Sequence, residues 1–123
     1  MSSYKIYYED TDCGGVVYHA NYLKYCERAR SEIFFSRKLS PVQDGAHFVV
    51  VSADCKFIQS AQLGDEISVK TRLLTLKNAS LELEQSVIKN EQIIFTAKIK
   101  LAFVKNLRPQ KIPQDLQAFL KEL

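Results

Sequence analysis

Residues 21–37 read NYLKYCERARSEIFFSR, and the spacing of their apolar positions decides the fold. Tyr22, Cys26, Ala29 and Ile33 fall at i, i+4, i+7 and i+11, which is one stripe of an α-helix. Leu23 and Phe34 widen the stripe, while Lys24, Arg28, Ser31 and Glu32 lie off it. The pattern predicts about four to five turns of amphipathic helix at 3.6 residues per turn. Glu27, Arg28 and Arg30 are expected to be solvated or paired at i,i+3 spacing. Glu27, one position past Cys26, is the one to watch at a subunit seam.

Outward from this segment the period changes to two. In HFVVVSADCKFI (47–58) one expected face carries Val49, Val51, Ala53, Cys55 and Phe57. In EISVKTRLL (66–74), Ile67, Val69, Thr71 and Leu73 alternate with Ser68, Lys70 and Arg72. SLELEQSVIK (80–89) sets Leu81 and Leu83 against Glu82 and Glu84. IIFTAKIKLAFV (93–104) puts Ile93, Phe95, Ala97, Ile99, Leu101 and Phe103 on one side and Thr96, Lys98 and Lys100 on the other. Turns at LGD, KNA and KNE make these an antiparallel meander. KIYYE (5–9) is expected to be a further short strand. PQDLQAFLKEL (113–123) is expected to be a terminal helix with Pro113 at its first turn. A sheet buried on one face needs a cover, and the single long helix supplies it. The expectation is α+β: an antiparallel five-stranded sheet wrapped around one long helix, the hotdog architecture. An exposed edge strand invites a second copy, so a homo-oligomer is expected.

At 123 residues, 1–123 reads as one domain, too short for separate substrate and cofactor domains. No apolar run reaches the roughly 18 residues of a membrane span, and MSSYKIYYED lacks the regions of a signal peptide. A cytoplasmic location is expected. Cys13, Cys26 and Cys55 have neither the number nor the spacing of a disulfide framework or zinc site, in keeping with a reducing compartment. A net charge of +3 helps attract an anionic small molecule but argues against nucleic acid as a partner.

The chemistry-bearing residues crowd into YEDTDCGGVVYHANY (8–22), between the first strand and the helix start. Helix N-termini leave about four N–H groups without intrahelical partners and carry partial positive charge. The amides of Tyr18, His19 and Ala20 are therefore expected to face an anion, and fixed donors of that kind stabilise a developing oxyanion. Gly14 and Gly15 permit a tight turn and a close approach by substrate. Asp12 is the candidate acid–base or nucleophilic group. Asp10 reads as the loop's fastener, accepting backbone N–H bonds. A cysteine nucleophile at Cys13 lacks a clear orienting third group, and two loop carboxylates with one imidazole are a thin metal set.

YYEDTDCGGVVYHANYLKYCERAR (7–30) resembles the signature of hotdog-fold acyl-CoA thioesterases of the 4-hydroxybenzoyl-CoA thioesterase type, closest to the bacterial group associated with the Tol-Pal system. FVVVSADCKFIQSAQLGDEI (48–67) resembles that family's second block, so the likeness spans essentially the whole chain. The resemblance implies hydrolysis of acyl-CoA to free acid and coenzyme A, without metal or other cofactor. It implies Asp12 as nucleophile or general base and the His19 amide as carbonyl donor. The His19 imidazole and the Tyr8 phenol are implied to line the site and assist. Gly15, Val16, Val17 and Tyr18 are implied around the substrate, with Val51 and Phe57 reaching it across a dimer. The implied assembly is a homodimer or homotetramer, with acyl carrier protein as an alternative carrier. Cys13 departs from the small residues usual there. Two rival readings are a hotdog dehydratase acting on hydroxyacyl thioesters and a non-catalytic acyl-ligand binding module.

Overall fold

The computed structural model describes all 123 residues. The strands are β1 (Ser2–Lys5), β2 (His47–Phe57), β3 (Glu66–Leu76), β4 (Ser80–Lys89), β5 (Gln92–Lys105) and β6 (Arg108–Pro109); the helices are α1 (Asn21–Phe35) and α2 (Gln114–Leu120). All strands pair antiparallel in one sheet of order β1-β3-β4-β5-β2, with two-residue β6 added beside β5. The α+β architecture is the expected one, with β6 as an additional strand. Tight turns at Asn90–Glu91 and Asn106–Leu107, all four residues at positive φ, close the last hairpins. No helix is long and apolar enough to cross a membrane.

Cross-strand partners share a face, so the core runs across the sheet in rows that end on exposed β2 residues: Val69, Val87 and Phe95 out to Phe57 in one, Leu83 and Ile99 out to Ala53 in another. Helix α1 lays Tyr22, Tyr25, Cys26, Ala29 and Phe34 on these rows. Tyr25 is 1% exposed and takes the place expected for Leu23, which is 38% exposed. Helix and sheet are also stitched by polar groups. Fully buried Gln85 accepts from Arg30 Nη1 at 2.8 Å and donates to the Cys26 carbonyl and the Thr71 hydroxyl, both at 3.0 Å. Arg30 is thus half-buried rather than solvated, and burial pushes its pKa down, with Cys26 and Glu27 offsetting part of that.

Three expectations need correction. KIYYE is not a strand: pairing ends at Lys5–Glu66, and Tyr8–Asp10 form a 3-10 turn. The cause is Asp10, whose carboxylate takes the Tyr7 N–H at 2.9 Å and draws the chain off the sheet. In β2 the register slips between Val50 and Ser52, making Val51 the extra residue of a bulge. The inward set is therefore Phe48 and Val50, then Ala53, Cys55 and Phe57, without Val49 and Val51. In β5 a second bulge leaves Ile94 fully buried and Ile93 48% exposed. The Ile94 carbonyl there accepts the N–H groups of Ile58 and Gln59 at 2.9 and 3.1 Å.

The C-terminal helix buries Leu116, Phe119 and Leu120 in the core, Phe119 reaching the far end of α1. Phe119 meets Phe34 edge-on, with ring centroids 5.4 Å apart, and the Arg37 guanidinium lies over the Phe119 ring while pairing with Glu122.

Candidate active site

Residues 11–20 are folded by their own short-range bonds. Thr11 bridges Val17, the Asp12 N–H donates to the Val16 carbonyl at 2.9 Å, and the Gly15 N–H donates to the Asp12 carbonyl at 3.1 Å. Gly15 turns this loop at φ +79°, a conformation that costs other residues about 1–2 kcal/mol. The Gly14 N–H donates to Asp12 Oδ1 at 2.8 Å, and a Cβ on Gly14 would stand only 3.3 Å from that oxygen. Asp12 Oδ2 makes no hydrogen bond within the chain. The carboxylate is therefore oriented by one oxygen and left free at the other.

The loop is pinned on two sides. The Val17 N–H donates to the Ala61 carbonyl at 2.8 Å, and Val16 bridges Gln62 in the β2–β3 connection. Buried Asp10 holds the helix side: its carboxylate accepts from the Tyr7 N–H and from Asn21 Nδ2, the latter at 3.2 Å, while its carbonyl accepts the Tyr18 N–H at 2.9 Å. The fastener role read for Asp10 is its observed one. Tyr25 lies under this tie, and burial first, then the Asp10 carboxylate, push its phenol pKa up. Its Oη makes no hydrogen bond of ordinary geometry.

Of the three amides expected to face an anion, Tyr18's is consumed by Asp10. Those of His19 and Ala20 donate to nothing in the chain, and they sit where the positive end of α1's dipole begins. The first turn of α1 carries no acidic residue to neutralise that end.

Asp12, Val16, Val17 and His19 line one cleft of about 290 Å³ with Tyr22, Phe57, Ile58, Gln59 and Ser60. Its wall is aromatic: His19 stands edge-on to Phe57 at 6.3 Å, Phe57 meets Phe95 at 5.2 Å, and Tyr22 stacks on Phe95 at 5.0 Å. The Tyr22 hydroxyl is fixed by the Ala61 N–H at 3.1 Å. Tyr18 meets His19 at a tilt of 47°, with ring centroids 4.4 Å apart, from the solvent side, and Gly15 stays at the turn. Tyr8 is 82% exposed on the 3-10 turn and Val51 is 56% exposed on its bulge; neither lines this cleft within one chain. Tyr22 and the Ile58–Ser60 wall were not read from the sequence. The cue for Ile58 is its place directly after the inward Phe57, whereas Tyr22 reads only as a core aromatic.

Among the cysteines, Cys26 is fully buried and its thiol is pushed up to about 12, whereas Cys13 is exposed and outside the cleft wall. No three His, Cys, Asp or Glu side chains converge in a metal-binding group. The arrangement offers a carboxylate with one free oxygen, two unspent amides at a helix start, and an apolar wall. Such a set suits attack on a polarised carbonyl.

Residues 14–108 match the family model described as the thioesterase superfamily. The chain belongs to that superfamily. Among thioesterase relatives, the acyl-CoA thioesterase YbgC of Helicobacter pylori is 39% identical, the match covering 97% of this chain and 95% of that one. The acyl-CoA thioester hydrolase YbgC of Escherichia coli O6:H1 is 31% identical over 96% of this chain and 92% of its own. The crystal structure of a probable thioesterase from Bartonella henselae superposes with a TM-score of 0.86 at 32% identity, covering 91% of this chain and 97% of that one.

Proposed function

We propose that this thioesterase-superfamily chain hydrolyses acyl-CoA thioesters to the free acid and coenzyme A, with Asp12 carrying the chemistry. The observation that supports this most is the pairing of a half-free Asp12 carboxylate with the unspent His19 amide at the edge of one cleft. The thioester carbonyl oxygen accepts the His19 N–H, so the charge that develops there meets a donor already in place. On the nucleophilic route, Asp12 Oδ2 bonds to the carbonyl carbon, the C–S bond breaks, and coenzyme A leaves as thiolate and takes a proton from water. Water then hydrolyses the mixed anhydride, which restores the carboxylate. On the general-base route, Asp12 takes a proton from the attacking water and returns it to the leaving sulfur. The His19 imidazole, held between a tilted Tyr18 ring and the edge-on Phe57 ring, orients water or the leaving group.

The free edge of β2, with Val50, Val51, Phe57 and Ile58 all more than half exposed, supports a homodimer in which two such edges meet. Three unpaired cysteines accord with the cytoplasm.

Thiol release from a panel of acyl-CoA substrates is the test. Asp12→Asn keeps an acceptor for the Gly14 amide, so it should fold as the parent does while kcat drops by about two orders of magnitude or more. Near-parental turnover by this variant removes Asp12 from the mechanism. Water loss from a 3-hydroxyacyl-CoA without thiol release indicates a dehydratase instead, and stoichiometric binding without turnover indicates a ligand-binding module.

A further inference from the structure

The two unspent amides at the start of α1 are held in place by nothing of their own. Neither His19 nor Ala20 takes part in any backbone hydrogen bond, and Ala20, the residue before the helix, has no side chain able to cap it. Their position is inherited from Tyr18 and Asn21 on either side, and both of these are tied to Asp10. The Tyr18 N–H donates to the Asp10 carbonyl at 2.9 Å, and Asn21 Nδ2 donates to Asp10 Oδ1 at 3.2 Å. A third bond closes the frame: the Asn21 N–H donates to the Tyr18 carbonyl at 2.8 Å.

That last bond determines where the His19 N–H points. The Tyr18 carbonyl and the His19 N–H belong to one peptide unit, and no peptide bond in the chain is cis. In a planar trans unit the two groups point in opposite directions. Holding the carbonyl on Asn21 therefore fixes the N–H pointing out from the helix start. Asp10 is 5% exposed and Asn21 7% exposed, so the side-chain tie forms away from competing water. Neither residue lines the Asp12 cleft.

We propose that Asn21 is a positioning residue for the hydrolysis: through its bond to Asp10 it locks the Tyr18–His19 peptide unit in the orientation that aims the His19 N–H at the thioester carbonyl. The inference rests on the acyl-CoA hydrolase reading. Without the tie, the unit can rotate about the flanking single bonds, and the donor leaves the place where charge develops. The loss falls on the transition state more than on ground-state binding, so it is read in kcat rather than KM.

The test is thiol release from butanoyl-CoA, measured well below each variant's unfolding transition. Asn21→Ala should lower kcat on the order of tenfold to a hundredfold with KM little changed. Affinity for S-butyl-CoA, a thioether that lacks the carbonyl, should move by less than about twofold. Leu83→Ala is the packing control. Leu83 lines a second, apolar concavity of about 220 Å³ against the other half of α1, which shares no residue with the cleft. This variant should lower the unfolding midpoint at least as far while keeping the parental kcat. Asn21→Asp sets two carboxylates face to face and should be slow. Adding Asp10→Asn, which reverses donor and acceptor, should recover most of the rate. Parental kcat in Asn21→Ala, a kcat loss that Leu83→Ala shares, or a double variant as slow as Asn21→Asp overturns the proposal. Should Asn21→Ala fail to fold, Asn21→Ser takes its place, with the same outcomes deciding. A parent that releases no thiol from any acyl-CoA refutes the hydrolase reading itself; an active parent with any of those three results refutes only the role of Asn21.

Discussion

The two ends of α1 are built by different means. At the N-terminal end, Gly14 bonds Asp12, Tyr7 and Tyr18 bond Asp10, and Asn21 reaches Asp10, all within fifteen residues of chain (7–21). At the other end, Arg30 bonds Gln85, Phe34 packs on Phe119 and Arg37 pairs with Glu122. A polar site with one exact carboxylate orientation is assembled locally, whereas an apolar cavity needs walls from distant elements. The first tolerates little change in its own loop; the second depends on the whole sheet.

Substitutions can separate the two ends. Gln85→Leu should cost about 3 kcal/mol of stability, because it strands the Arg30 guanidinium, the Thr71 hydroxyl and one lone pair of the Cys26 carbonyl. Denaturant unfolding measures that loss, and turnover of a short acyl-CoA well below the transition should survive. A collapse of that turnover would show that the ends are coupled. Gly15→Ala meets no atom within 4 Å, so its cost is backbone strain alone, about 1–2 kcal/mol. It should also slow turnover by disturbing the Asp12 turn; an unchanged unfolding midpoint would mean that the loop relaxes freely.

His19→Ala retains the backbone amide and removes the imidazole, so kcat should fall on the order of tenfold. Full activity would leave the His19 side chain with a packing role only. The smallest effect lies at neither end. Lys89 bonds Asp65 at 2.7 Å and holds that carboxyl below its usual range. The folded pKa is depressed, so the stabilisation is present at neutral pH and fades as pH falls through the folded value. Lys89→Met should therefore lose under about 1 kcal/mol at pH 7. Parent and variant should converge in acid, and unfolding series at several pH values check this.

Much of the scaffold is legible in the sequence because the helix stripe and the strand alternation are local. The phase of β2 and β5 is not, for a definite reason. Val49, Val50 and Val51 are identical, as are Ile93 and Ile94, so a slip of one residue leaves no trace in the hydrophobic pattern. Only the partner strand chooses which one is extra. Gln85 is hidden in the same way: SLELEQSVIK places it on the inward face with Leu81 and Leu83, but its acceptance there depends on Arg30, fifty-five residues earlier. In the site, Asp10, Asp12 and His19 stand out as chemistry-bearing residues in a glycine-rich loop. Tyr22 looks like any core aromatic until Phe57 and Phe95 surround it.

The bulge at Val51 has a consequence for how the chain avoids harmful assembly. A straight, apolar edge strand templates indiscriminately, so copies can slide along one another and stack into ribbons. One extra residue gives the β2 edge a kink at a single place, so any strand added there would have to arrive in matching alignment. Deleting Val51 would flatten that edge and make it a better template for fibrous aggregates.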